Sequence, residues 1–297
     1  MPASPPDTFA ETVISSHPRA QVLQTLRDLW EYRELFWAFL VRNLRVRYKQ
    51  TALGVIWVVL QPLITGVVFS LIFGLVRGQF VDLGSVLFFM AALVPWTAFQ
   101  NGVQMAALSL EQNANLVSKV FFPRVVVPAS QVLSTMVDFL ISFAALWVLL
   151  LVSQQLNPLG APLYLLVLLP LLLALQLLPT LGLGLMLSIL NAQYRDIKYV
   201  IPFVLQVGLF LTVLIPLNEA TTEGLARTLG STDLASIVVA LLELNPMAGV
   251  VESYRAVVQG EPLPWFLLAK GAVISTVLMI LGWWTFSSRE QLLVDVL

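Results

Sequence analysis

The sequence predicts an all-α polytopic membrane protein with about six transmembrane helices, an N-terminal interfacial amphipathic helix and an extracytoplasmic re-entrant helical hairpin. Three observations predict it. Of 297 residues, 58% are hydrophobic and only 11% charged, giving a mean hydropathy of +0.87. The apolar residues gather into runs at 55–76, 86–110, 125–152, 163–190, 199–216 and 265–286, each near the ~20 residues that cross a hydrocarbon core. The positive charges are dense in alternate loops and sparse in the others.

The chain begins with a polar, Pro-containing tail at 1–24 that holds the single histidine, His17. It lacks the apolar stretch and small-residue cleavage site of a signal peptide, so the first span is expected to act as the insertion signal. Residues 25–50 then follow helical spacing. Leu26, Leu29, Trp30, Phe36, Trp37, Leu40 and Leu44 fall on one side, and Arg27, Glu31, Glu34, Arg42, Arg45 and Lys49 on the other. Acids lead and bases trail, as the helix dipole favours. Two tryptophans opposite a basic face suit a helix in the interface plane; the alternative is a surface helix on a soluble domain, for which little chain remains.

Residues 51–288 hold the spans, and 289–297 form a second tail. Arg19, Arg27, Arg33, Arg42, Arg45, Arg47 and Lys49 precede span one. Lys119 and Arg124 lie between spans two and three, Arg195 and Lys198 between four and five, and Arg289 after six; the opposite loops hold only Arg77, Arg227 and Arg255. The positive-inside rule puts both termini in the cytoplasm. Pro62, Pro95, Pro170, Pro179 and Pro202 stand inside spans; each removes a backbone donor that neighbours or water must replace. A short loop near 153–162 joins spans three and four.

Between spans five and six, 221–224 read as loop. Two runs of about twelve residues follow, 233–244 and 247–259, broken at Asn245–Pro246 and closed by Gly260. Such runs are too short to span and suit re-entrant or interfacial segments. Ser231, Thr232 and Asp233 are candidate caps. The pair reads as a hairpin dipping towards the bilayer, or as two helices flat on the outer surface.

No phosphate-binding GxxxxGK[ST] loop, HExxH, EF-hand, GxSxG or dinucleotide fingerprint occurs. There is no cysteine, so disulfides, thiolate metal sites and cysteine nucleophiles are excluded. No catalytic residue, metal site or nucleic-acid partner is expected. Polar residues inside the spans are more informative. In span two, Trp96, Gln100 and Gln104 recur every fourth residue with Asn101 alongside; in span three, Gln131, Ser134, Asp138 and Ser142 form a second stripe. Unpaired amides are costly in lipid, so the first stripe is either a wet face or a set of helix-to-helix hydrogen bonds. Asp138 is expected to face protein or a water-filled path, as a pathway residue or a lock between helices. In the cytoplasmic loop at 111–124, Leu116, Val117, Val120 and Phe121 form an apolar ridge beside Asn113 and Lys119. Such a ridge docks into a partner or folds onto the chain's own spans.

Four segments carry a family resemblance: RVRYKQTALGVIWVVLQP at 45–62, NANLVSKVFFPR at 113–124, YRD at 194–196 followed by Pro202, and NPMAGVVESYR at 245–255. In this order, on these sides of the membrane, they resemble the permease subunit of type-2 ABC exporters, in the branch that exports lipid-linked polysaccharides. The resemblance runs over about 26–286. It implies a homodimer of permeases in the bacterial inner membrane, with cytoplasmic ATPase subunits that bind ATP and magnesium, and no cofactor in this chain. Asn113, Leu116, Val117, Val120, Phe121 and Arg124 would form the coupling helix. The interfacial helix, with Trp30, Phe36, Trp37, Arg42 and Arg45, would also contact the ATPase. The hairpin, with Asn245, Pro246, Glu252 and Arg255, would be the outer gate. A polysaccharide needs a wet path with flat rings, for which Trp57, Phe69, Trp96, Gln100, Gln104 and Asp138 are the candidates. One departure is that 211–216 read LTVLIP, where relatives often carry an aromatic residue before the proline. Competing readings are a type-2 ABC exporter of a drug or small lipid, a membrane enzyme acting on lipid-linked sugars, and an ion-coupled secondary transporter. The last would require an internal repeat and several intramembrane charges.

Overall fold

In hydrocarbon a backbone must satisfy its own polar groups, so each long apolar run closes into a helix. The computed structural model describes residues 30–49, 54–78, 80–120, 122–153, 160–194 and 196–290. The tail at 1–24 with His17, residues 25–29 of the amphipathic segment, Phe121, most of the loop at 153–162, Arg195 and residues 291–297 lie outside the described residues. Among the described residues there are eleven α-helices and no strand. They are α1 (Arg33–Tyr48), α2 (Ile56–Arg77), α3 (Leu83–Gln112), α4 (Ala114–Lys119), α5 (Val126–Ser153), α6 (Gly160–Gln193), α7 (Ile197–Leu209), α8 (Glu219–Leu229), α9 (Thr232–Leu242), α10 (Ala248–Gln259) and α11 (Trp265–Arg289). A π turn, Phe210–Leu214, extends α7. Six elements are long and apolar enough to cross a membrane: α2, α3, α5, α6, α7 with its π turn, and α11. They coincide with the six apolar runs.

The middle of the bundle is α3, which packs against α2, α5, α6 and α10. In its most apolar window 67% of residues are buried, against 17% for α2. α2 is therefore an outer wall, attached along one side. Pro62 in α2 has no N–H to give the Val58 carbonyl, and Ser142 of α5 supplies the missing donor at 3.0 Å. A second hydroxyl contact, Ser70 to Ser85 at 2.5 Å, ties α2 to the start of α3. α6 and α11 cross closely because glycines face each other. A Cβ built on Gly182 would meet the Leu278 backbone at 2.6 Å, and one on Gly282 would strike the backbone of Gly182. Small residues at helix crossings suit a bilayer, where dispersion replaces the hydrophobic effect between helices.

At the end of the bundle opposite α1, three helices join α7 to α11. The stretch read as loop at 221–224 is part of α8. Asn218 caps that helix by accepting the Thr221 N–H at 2.9 Å, and Gly230 ends it at φ 68°. The polar composition concealed it, since a solvated helix needs caps rather than apolar periodicity. Ser231 caps α9, accepting the Leu234 N–H at 3.3 Å, and Gly260 closes α10 in the left-handed region. The two runs read as a hairpin pack differently: α9 lies against α8, and α10 against the spans. α10 buries ten of its twelve residues among α3, α6 and α11. α9 leaves Leu234, Ile237, Leu241 and the following Leu244 exposed.

Two substitutions test the crossing. Gly282→Val should cost at least ~3 kcal/mol, the upper end of overpacking, because backbone and not a flexible side chain is in the way. Gly224→Ala in α8, with open space around it, should be neutral or stabilising. Thermal unfolding of the purified chain in detergent separates them, and equal melting points would show that the close crossing carries no stability.

Candidate functional site

Helical spacing brings a polar face of α1 against a polar stripe of α5. Asn43 and Arg47 are one turn apart on α1; Ser130, Ser134 and Asp138 are each one turn apart on α5. The Asn43 amide donates to the Ser130 hydroxyl at 3.3 Å. The Arg47 guanidinium forms an ion pair with Asp138 and donates to the Ser134 hydroxyl at 3.0 Å. The Tyr48 hydroxyl also donates to Asp138. Burial, then the hydrogen bond and negative charge of Asp138, push the Tyr48 phenol above its ordinary pKa, which keeps it a donor. Asp138 thus faces a cation from α1, a partner the reading of α5 alone did not contain. The inward face of α1 is Phe39, Leu40 and Asn43 with Arg47, which corrects the assignment of faces. Trp30 and Trp37 are exposed, Phe36 is half-buried and Arg45 exposed. Arg42 reaches the Asn113 side-chain oxygen at 2.5 Å.

Above this pair lies a cavity of about 600 Å³ between the end of α1 and helices α2, α3 and α5. Trp57 of α2 and Phe139 of α5 supply rings; Gln61, Thr97, Asn101, Arg47 and Asp138 supply polar groups. The structure brings Trp57 and Asp138 together here and leaves out the other ring-and-amide candidates. Trp96 is 2% exposed, stacked near Phe99 at 5.4 Å and set against Gly208 of α7, so it is a packing residue. Gln100 and Gln104 are half-buried on α3 and do not line the cavity. Phe69 packs on Phe89 at 5.8 Å, further along α2. The lining stripe of α3 is Thr97, Asn101 and Met105, the expected spacing displaced by one residue, or about 100° of helix rotation. Spacing fixes a stripe; packing of α3 among its neighbours decides which stripe faces the space.

The segment after α3 divides between inward and outward contacts. Val117 is buried with Phe39, Leu110 and Phe122, and Leu116 packs against that cluster. Val120 is 52% exposed, and Phe121 lies outside the described residues. Asn113 is buried and donates to the Ser109 carbonyl at 2.8 Å. Arg124 binds Glu290 beyond α11, its backbone N–H reaching the carboxylate at 3.1 Å and its guanidinium the Glu290 carbonyl. Of the expected ridge, Val117 therefore serves the chain's own core, and Val120 stays exposed.

Asn245, Glu252 and Arg255 gather around the π turn. A π turn ending in extended backbone leaves carbonyls without partners. Arg255, 1% exposed, donates to the Val213 carbonyl and to that of Thr212 at 3.4 Å. Its charge is matched by Glu252 at 2.7 Å and lies over the Phe88 ring, 4.5 Å from the centroid. Glu252 also accepts the Leu217 N–H at 3.2 Å, and Asn245 donates to the Thr212 hydroxyl at 2.6 Å. Pro246 presents its carbonyl to Gly271 of α11, where a Cβ would sit 3.1 Å away. Lys270 of α11 pairs with Glu243 at 2.9 Å.

The α1–α5 pair is open to a double-mutant cycle. Arg47→Met leaves a largely buried carboxylate alone, which costs about 3–5 kcal/mol; Arg47→Met with Asp138→Leu should recover most of that. Denaturant titration of the chain in detergent reads both, and additive losses would show that the two side chains do not interact.

Comparison with known proteins agrees with this architecture. The family model described as ABC-2 type transporter matches residues 34–225. An O-antigen export system permease protein RfbA from Myxococcus xanthus is 31% identical over 274 residues, covering 91% of this chain and 98% of that protein. Two proteins of the same name from Klebsiella pneumoniae are each 24% identical, covering 86% of this chain and 92% of their own length. With a match over well over half of its length and six membrane-length helices, the chain belongs to the ABC-2 type transporter family.

Proposed function

We propose that the chain is the permease subunit of an ATP-driven exporter that carries a lipid-linked polysaccharide from the cytoplasm to the outer face of a bacterial inner membrane. The observation that carries this reading is near full-length similarity to permeases named for O-antigen export. The cavity's chemistry supports it: a glycan needs ring faces to slide on and groups that exchange hydroxyl hydrogen bonds, and Trp57, Gln61 and Asn101 offer both.

The working unit in this reading is two copies of the chain with two cytoplasmic ATPase subunits, which bind ATP and magnesium. Both termini are cytoplasmic, following the loop charges. The segment 1–24 is a tail, 25–50 the amphipathic helix, 51–288 the transmembrane domain and 289–297 a second tail. Val120, with Phe121, is the knob presented to the ATPase. Movement there passes to α1 through Arg42 and Asn113, to α5 and the cavity through Arg47 and Asp138, and to α11 through Arg124. The α9–α10 segment, fastened to the π turn by Asn245 and Arg255 and to Leu217 by Glu252, acts as the outer gate.

Two outcomes are expected. The purified chain should hydrolyse no ATP unless a separate ATP-binding subunit is present, since it has no phosphate-binding loop; turnover by the chain alone would end the exporter reading. Val120→Asp should abolish co-purification with the ATPase and reduce surface polysaccharide at least about tenfold, because a charge is buried unpaired in the contact, while membrane insertion is retained. Normal assembly and export from that variant would place the coupling contact elsewhere.

A further inference from the structure

A second cavity, about 540 Å³, opens at the end of the bundle opposite α1, within the size range of small-molecule sites. Leu214 and Pro216, from the segment that lacks the expected aromatic residue, form part of its lining. Its rings come from elsewhere: Phe73 near the end of α2, Phe80 in the α2–α3 connection and Phe88 of α3. Phe80 is fully exposed, an aromatic face held out at the rim. Asp82, Gln259 and Glu261 stand beside these rings. Asp82 accepts the Ser85 N–H at 3.1 Å as the cap of α3. The side chains of Gln259 and Glu261 make no hydrogen bond among the described residues.

The described lining holds carboxylates and no cation. Phosphate is therefore disfavoured here, and a ligand rich in hydroxyl donors is favoured, because ionised carboxylates only accept hydrogen bonds. Flat apolar rings set beside acceptors fit one chemistry well: a pyranose presents axial C–H groups on one face and hydroxyls around its edge. We propose that this cavity binds an uncharged hexose segment of the exported glycan as it leaves, with Phe80 as the stacking platform and Glu261 and Gln259 as hydroxyl partners. The proposal rests on the export reading and extends it to an exit subsite distinct from the cavity beside Arg47.

The test uses intact cells exporting the polysaccharide, with a photo-crosslinking phenylalanine analogue placed at Phe80 in the full chain. Phe80 packs against no other side chain, so the variant should fold and export, and surface polysaccharide confirms that it has. Illumination should yield an adduct carrying sugar. The same analogue at Leu75, exposed near the end of α2 and outside the lining, should yield none. Adding Glu261→Gln to the Phe80 variant should lower the sugar adduct about tenfold, the weight of one good polar contact. Export without a sugar adduct at position 80, adducts containing lipid only, or a yield indifferent to Glu261→Gln would each overturn the proposal while leaving export intact. Surface polysaccharide that persists after deletion of the chain would instead overturn the export reading.

Discussion

The ion pair between Arg47 and Asp138 is the interaction on which the cavity and the amphipathic helix both depend. Each charge alone at this depth is unfavourable by a few kcal/mol; together, with Tyr48 and Ser134 completing their hydrogen bonds, they form a satisfied polar cluster. That cluster holds the end of α1 against α5 and floors the space beneath Trp57. Without it, α1 would be held by the apolar contacts of Phe39 and Leu40 and the hydrogen bonds of Asn43 and Arg42.

The opposite end is organised by the same rule in another form. There the unmatched groups are backbone carbonyls of the π turn, and Arg255 is the donor that answers them. Both ends therefore join an arginine from a short helix to a longer span. Neither arrangement relies on apolar burial, which in lipid discriminates poorly between one helix neighbour and another. Glycines at Gly182 and Gly282 then set how closely the remaining helices approach.

The six spans were legible because length and hydropathy are properties of one segment at a time. The caps at Ser231 and Gly260 were legible for the same reason. Contacts between segments were not. Thr97 and Asn101 replace Gln100 and Gln104 on the cavity wall because the rotation of α3 is fixed by α2, α5, α6 and α10 together. Asp138 stood out in the sequence, yet its partner lay 91 residues earlier. The matching spacing of Asn43 and Arg47 with Ser130, Ser134 and Asp138 was the available signal, and it emerges only when two stripes are compared. Val117 and Val120 show the limit of a local pattern, since one ridge residue turned inward and the other did not.

The sequence separation of Arg47 and Asp138 carries a consequence for biogenesis. A chain made from its N-terminus must place α2 and α3 in the membrane before Asp138 leaves the ribosome. Until then Arg47 has no carboxylate to meet and α1 has no dock. The amphipathic helix therefore settles only after half the bundle exists, and its seating reports that α5 has entered with the correct face inward. An α5 inserted in the wrong rotation leaves Asp138 facing hydrocarbon without its cation and α1 without its dock.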